Sequence, residues 1–177
     1  MRGLGTWVAL VGCLLAVVAG ADAAIFQRVS DGKAETSSDV IARIDRLAAE
    51  QASGRRDFET RGAYQARIAQ AEEALKNLES VRYWLSMQPT STRLDWENSV
   101  VQIRFVLPMA VLRERGGSQE SNEIRLSYAA SPDQVRLMDT FPQSITLRLV
   151  FGVSRAKRML IESMTLRFQG DIIYEES

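Results

Sequence analysis

The chain has 177 residues, in which 22 lysines and arginines balance 22 aspartates and glutamates, with one cysteine and no histidine. The even charge argues against general nucleic-acid binding, which depends on net positive charge. The missing histidine removes the usual general base, the Ser-His and Cys-His nucleophile pairs and the commonest zinc ligand. We therefore predict no catalytic residue, no cofactor and no metal site. Three kinds of site that need no histidine stay open: a carboxylate pair, a Ser-Lys pair, and a calcium or magnesium ion held by carboxylates.

The first 23 residues have the three parts of a secretory signal peptide. Arg2 supplies a positive start, an apolar run extends from Leu4 to Val18, and Ala21-Asp22-Ala23 has the small-residue form that signal peptidase recognises. The run is short for a spanning helix, which needs about 20 apolar residues. We predict cleavage after Ala23, with Ala21 as an alternative, and a mature periplasmic protein without a transmembrane span.

Cys13 leaves a second outcome open. The string Leu10-Val11-Gly12-Cys13 resembles the lipobox of bacterial lipoproteins, although the apolar run continues beyond it to Val18. If Cys13 is not lipidated, it leaves with the signal peptide, and the mature domain then has neither a disulfide nor a thiolate. A cysteine-free exported domain fits the bacterial envelope better than a small eukaryotic secreted protein.

The mature chain begins with a polar segment and two helical patterns. Residues 24–36 are interpreted as a flexible lead-in, with a turn at Asp31-Gly32. Apolar residues at helical spacing then predict a helix over about 39–53. The same spacing from Tyr64 onward predicts a second helix over about 60–78, in which Asp57 or Thr60 supplies the cap.

From residue 79 the pattern changes to the period of two that is typical of strands. One short helix interrupts it at about 131–139, where Ser131 provides the cap and Pro132 the first position. The first predicted strand begins at Val81 and ends by Pro89, and the second alternates over 101–107 and ends at Pro108. Two more are predicted over 124–128 and over 145–151, the latter ending at Gly152. The last two cover 158–168, with a bulge near Glu162-Ser163, and 172–174. Residues 94–98 are predicted as a turn.

This order of elements predicts an α+β fold. Two N-terminal helices precede an antiparallel sheet of about five or six strands with one short inserted helix. Residues 37–177 are long enough to form one domain with its own core, and no internal repeat or second domain is visible.

One helix segment resembles a motif of small exported bacterial proteins of uncharacterised function. The motif is F-E-T, three residues, Y, two residues, R, and here it falls on Phe58, Glu59, Thr60, Tyr64 and Arg67. In those proteins a helix with this motif precedes a β-rich region, and the resemblance implies the same order here without implying an activity. A structural interpretation stays open, in which Phe58 and Tyr64 dock the helix on the sheet while Glu59 pairs with Arg67 or caps the helix.

Arginines that alternate with apolar residues form the second candidate. Arg104, Arg125, Arg148 and Arg167 each sit between two apolar residues of a predicted strand, so they are expected on the outer face of the sheet. Guanidinium groups suit oxyanions, and a continuous arginine face predicts binding of phosphates, acidic glycans or lipid headgroups. The alternative is an ordinary solvated face whose arginines pair with nearby carboxylates.

These observations favour a non-enzymatic envelope protein that binds a partner protein or an anionic envelope component. A carboxylate-dependent hydrolase acting on a glycan or peptide is the first alternative. Asp95 and Glu97, which flank Trp96, are its candidate carboxylates together with Asp57 and Glu59. A lipid-anchored structural protein is the second alternative and depends on Cys13.

Overall fold

The computed structural model describes residues 24–111 and 121–177, so the predicted signal peptide and Cys13 lie outside it. In this part of the chain the helices are α1 (Ser37–Ala52), α2 (Arg61–Ser80) and α3 (Pro132–Thr140), and a short 3-10 turn follows at Pro142–Ser144. The described strands are β1 (Ile25–Arg28), β2 (Ala34–Thr36), β3 (Tyr83–Met87), β4 (Ser91–Asp95), β5 (Val100–Val111), β6 (Ser121–Ala129), β7 (Ile145–Val153), β8 (Met159–Phe168) and β9 (Asp171–Glu176). None of the described helices combines the length and apolar character needed to cross a bilayer.

The predicted lead-in, residues 24–36, folds as the β1–β2 hairpin. Gly32 at its turn has a φ of 67°, which glycine adopts without a Cβ clash, and the Asp31 carboxylate accepts a 3.0 Å hydrogen bond from the Lys33 N–H. Phe26 on β1 is fully buried, so the hairpin is part of the core. Two strands this short show almost no alternation, which is why the sequence pattern indicates only their turn.

The strands form one nine-stranded sheet that curls into a half-barrel. Its order is β2-β1-β3-β7-β8-β5-β4, while β6 pairs with the other edge of β5 and β9 pairs with β8. The ladders are antiparallel except for one parallel contact, Val111 beside Met159. The sequence predicts two leading helices and an antiparallel sheet of five or six strands, and this prediction is wrong in three respects. The sheet has nine described strands, two of them precede α1, and one contact between strands is parallel.

Local capping chemistry sets the start of each helix. Thr36 and Asp39 form a reciprocal capping box on α1, in which the Asp39 N–H donates to Thr36 Oγ1 over 3.1 Å and the Asp39 carboxylate accepts from the Thr36 N–H. Thr60 caps α2 by accepting from the Ala63 N–H at 3.2 Å. Ser131 caps α3 in the predicted way. Caps of this kind depend on two or three neighbouring residues, so the sequence places the helices within about two residues.

Three aromatic rings form the centre of the core where β1, β3 and β7 lie side by side. The centroids of Phe26 and Phe151 lie 5.0 Å apart with nearly perpendicular planes, and each ring is 5.9 Å from Tyr83. All three side chains are fully buried. Alternate residues of β5 and β7 extend the same core, and α1 and α2 cover one end of it with Val40, Ile44 and Leu78.

Three strand predictions need correction. Residues 91–95 form β4 against β5, so the predicted turn begins only after Asp95. β5 continues through Pro108 because this proline lies where the register with β6 shifts, between Val106 and Val111, and its missing N–H is not needed there. β7 continues through Gly152, where a Cβ would lie 3.2 Å from the Arg82 guanidinium, so this glycine marks a close approach of the chain and not a strand end.

The predicted bulge in β8 is confirmed. Ser163 lies opposite Val150 and Ile161 lies opposite Phe151, which leaves Glu162 as the extra residue. The bulge reverses the side of the sheet to which alternate residues point, and this explains the mixed apolar parity of residues 158–168.

Candidate functional site

The α1–α2 hairpin extends beyond the core. The buried positions of α1 end at Ile44, and those of α2 begin at Ala71. With a rise of 1.5 Å per residue, the outer parts of the two helices, residues 45–52 and 61–70, project by roughly 12–15 Å. We call this projecting part the arm, and its connecting turn, residues 53–60, the tip.

Two ion pairs join α1 and α2 to the turn between β7 and β8. Lys157 Nζ lies 2.6 Å from Asp45 of α1, and Arg155 Nε lies 3.2 Å from Glu79 of α2. The two cations come from one short turn and contact both helices.

Arg67 ties the tip together. Its guanidinium forms a two-bonded pair with Glu59 at 2.9 and 3.0 Å and also donates to the Glu50 carboxylate at 3.1 Å. The same group donates to Ser53 Oγ and, at 3.0 Å, to the carbonyl oxygen of Gly54. The Arg67 side chain is only 14% exposed, so both helices and their connecting turn converge on one mostly buried cation.

The charges of this cluster are mutually stabilised. Hydrogen bonds from Arg67 and from the Arg56 N–H lower the pKa of Glu59 from 4.5 to about 2. Hydrogen bonds to the carboxylates of Glu59 and Glu50 raise the pKa of Arg67 above its usual value. Arg56 also pairs with Glu50 at 2.7 Å. The tip is therefore organised by ionised groups over the whole ordinary pH range.

Phe58 stands at the outermost point of this turn. The Glu59 N–H donates to the Arg56 carbonyl oxygen at 3.1 Å, which makes Phe58 the third residue of a β-turn, and its φ is 63°. That conformation favours glycine or asparagine, not an aromatic residue. The Phe58 side chain is 107% exposed, so it makes no packing contact that would account for its presence.

The motif residues predicted from the sequence thus meet in one place, with one correction. Glu59 pairs with Arg67 and Thr60 caps α2, as the structural interpretation expects. Tyr64 packs on the Arg67 guanidinium, 5.3 Å from its ring centroid. The expectation that Phe58 docks the helix on the sheet is wrong, because its ring is fully exposed.

The four predicted outer-face arginines form two separate pairs. Arg104 and Arg125 lie opposite each other on β5 and β6, and both contact the carboxylate of Glu123. The guanidinium carbon of Arg148 lies 4.7 Å from the ring centroid of Trp84. Arg167 lies on the neighbouring strand β8, two register positions from Arg148, and donates to the Gly170 carbonyl oxygen. Anion binding by these arginines stays a prediction, and two of them already share a carboxylate.

The candidate carboxylates of the hydrolase alternative do not gather in a cleft. Asp95 ends β4 and accepts hydrogen bonds from the N–H and side-chain amide of Asn98, which lower its pKa. Glu59 is committed to Arg67, and Asp57 is exposed at the tip. Among the described residues no group of three or more acidic side chains is arranged to hold a metal ion.

A buried ionic cluster at the β1–β2 hairpin is absent from the sequence-based predictions. The Glu35 side chain is 4% exposed and contacts Arg28 and Arg43, the latter at 3.2 Å. The Tyr83 hydroxyl donates to it at 3.3 Å, and burial raises the pKa of that tyrosine. A cleft of about 490 Å³ opens beside this cluster, between β2 and α1. The Asp31-Gly32 turn between two short segments was the only signal for this hairpin.

No protein-family model, curated protein sequence or solved structure matches the chain. The geometry of the arm and of the cleft is therefore the basis for a functional assignment.

Proposed function

We propose that this chain is a non-catalytic protein of the bacterial envelope that docks on a partner protein through the tip of the α1–α2 arm. The observation that carries the proposal is the presentation of Phe58, an aromatic side chain that is fully exposed at positive φ in a turn fixed by Arg67.

This arrangement is unfavourable for an isolated domain. A non-glycine residue in the left-handed region costs about 1 kcal/mol. An exposed phenylalanine also forgoes the roughly 1.5–3 kcal/mol that its burial would contribute. Such outliers cluster at functional positions, where the surrounding structure holds them in place. Here the surrounding structure is the Arg67 cluster, whose hydrogen bonds and ring contact lie within the arm and the tip.

A rigid aromatic anchor is well suited to protein docking. Aromatic residues are enriched among the few interface positions that dominate binding energy. Because Arg67 already fixes the turn, little conformational freedom remains to be lost when Phe58 enters a pocket. The projection of the arm keeps the body of the domain clear of the partner.

Charges around Phe58 indicate the chemistry of the partner. Arg55 and Arg61 are exposed and have no ion-pair partner among the described residues, whereas Arg56 is committed to Glu50. Among the described residues 55–61, Asp57 is the one exposed carboxylate. We therefore expect an apolar pocket with an acidic rim, since charge complementarity around the anchor favours the correct partner.

Quantitative co-purification tests the proposal. The tagged full chain is compared with F58A and with the matched control I172A, which removes another exposed hydrophobic side chain on β9. A protein recovered with the unsubstituted chain is then purified, and its affinity for all three chains is measured. F58A is expected to weaken binding roughly 30-fold, as for a central anchor worth about 2 kcal/mol, while I172A leaves it unchanged. Equal affinity of F58A and the unsubstituted chain contradicts the proposal.

The envelope location belongs to the same proposal and has its own test. The intact mass of protein from the envelope fraction is expected to match residues 24–177. A mass that begins at Cys13 with acyl chains attached would instead identify the lipid-anchored alternative.

A further inference from the structure

The cleft between β2 and α1 has a cationic lining. Lys33 enters it from the turn of the β1–β2 hairpin, and Arg43 and Arg46 enter from α1. These two arginines are three positions apart, so they lie on the same side of the helix. The cleft volume of about 490 Å³ is sufficient for a small anionic group together with its solvent or attached chain.

The positive charge in this cleft is only partly compensated. The carboxylates on its lining are Glu35 and Asp39. Glu35 is already shared by Arg28 and Arg43, and Asp39 forms the capping box with Thr36. No carboxylate in the described part of the chain pairs with Lys33 or Arg46.

The cluster at the base of the cleft contains two buried polar atoms without a hydrogen-bond partner. The two oxygens of the buried Glu35 carboxylate contact Arg28, Arg43 and the Tyr83 hydroxyl. In the described structure Nε of Arg28 and Oε1 of Glu35 have no hydrogen-bond partner, although Nη2 of Arg28 forms an ion pair with that oxygen. A chain with equal numbers of positive and negative residues thus has a local excess of positive charge here.

We propose that this cleft binds a phosphate group, with Lys33, Arg43 and Arg46 as its ligands. Guanidinium groups match phosphate oxygens, and the tetrahedral group offers enough oxygens for three converging cations. The Glu35 carboxylate, which also pairs with Arg28, holds Arg43 in place. The site is distinct from the tip and does not depend on the docking proposal. The phosphate can be a free ion or part of a lipid headgroup, which share this chemistry.

Backbone-amide NMR titration with inorganic phosphate tests the free-ion source. At constant ionic strength maintained with chloride, saturable shifts are expected at residues 33–35 and 42–46. R46E is expected to weaken binding at least about tenfold, because it removes one charge-assisted contact and adds repulsion. The matched control is R61E, at another exposed arginine on α2, and it should change the affinity less than twofold.

Co-sedimentation tests the headgroup source. Vesicles that contain phosphatidylglycerol are compared with vesicles of phosphatidylcholine, again with the unsubstituted chain, R46E and R61E. Binding to the anionic vesicles that R46E alone abolishes would assign the cleft to a headgroup even when free phosphate gives no shifts. Absence of both responses, or equal loss in R46E and R61E, overturns the phosphate site. Because both side chains are exposed, neither substitution is expected to prevent folding.

Discussion

Phe58→Asn should make the protein more stable, which is unusual for the removal of an aromatic residue. Asparagine tolerates the φ of 63° that phenylalanine adopts here at a cost of about 1 kcal/mol. The 107% exposed ring contributes no packing that the substitution could remove. We therefore expect the free energy of unfolding to rise by about 0.5–1 kcal/mol, which corresponds to roughly 1–4 °C in Tm for a domain of this size.

Phe58→Ala is the matched comparison, because alanine also lacks the ring but keeps a Cβ and thus most of the backbone strain. Its free energy of unfolding is expected to stay within about 0.5 kcal/mol of that of the unsubstituted chain, as for surface positions in general. Urea denaturation measures the free energy of unfolding of both variants, and the slope of this free energy against urea concentration is expected to stay unchanged. If either substitution destabilises the protein by more than about 1 kcal/mol, Phe58 has a packing partner and the exposed-anchor reasoning fails.

Further substitutions test the arm and the core. In R67M the pKa of Glu59 is expected to rise from about 2 toward 4.5 in a carboxyl NMR titration, and an unchanged value would show that Arg67 is not its main partner. Since the pKa of Glu59 is depressed in the folded protein, its ionised form stabilises the tip above about pH 4.5. This stabilisation is lost as the pH falls toward about 2, and hydrogen-exchange protection of the amides of residues 54–60 should decrease with it. Phe151→Ala should lower the free energy of unfolding by about 3–5 kcal/mol because it opens a cavity in the aromatic centre, and a loss below about 1 kcal/mol would contradict the packing described. Gly152→Ala should destabilise by about 1 kcal/mol because its Cβ would lie 3.2 Å from a guanidinium nitrogen of Arg82 that the Glu79 carbonyl oxygen and Glu162 hold in place. Gly54→Ala, with open space around the new methyl group, should not destabilise the protein.

Local chemistry explains what could be predicted of the fold. The caps at Thr60 and Ser131 act over three residues, so the sequence locates α2 and α3 closely. The shift of apolar parity in β8 predicts its bulge because strand faces alternate strictly. By contrast, the parallel contact of Val111 with Met159 joins residues far apart in the chain, and no local pattern encodes it.

The candidate site was predicted only in part for the same reason. Glu59 lies just before α2 and Arg67 about two turns into it, and the motif that contains both residues already suggests their pairing. Glu50 and Gly54 join them only because α1 packs on α2, and the turn between the two helices leaves Phe58 fully exposed. An aromatic residue in an amphipathic pattern is expected in the core, and tertiary structure overrides that expectation here.

Site-specific photo-crosslinking tests the docking role of the tip most directly. A photoreactive phenylalanine analogue replaces Phe58 in one full-chain variant and Ile172 in another, both at exposed hydrophobic positions, and the producing cells are irradiated. The proposal predicts one discrete adduct with a second protein at position 58 that is absent at position 172. No adduct at position 58, or the same adducts at both positions, would contradict it.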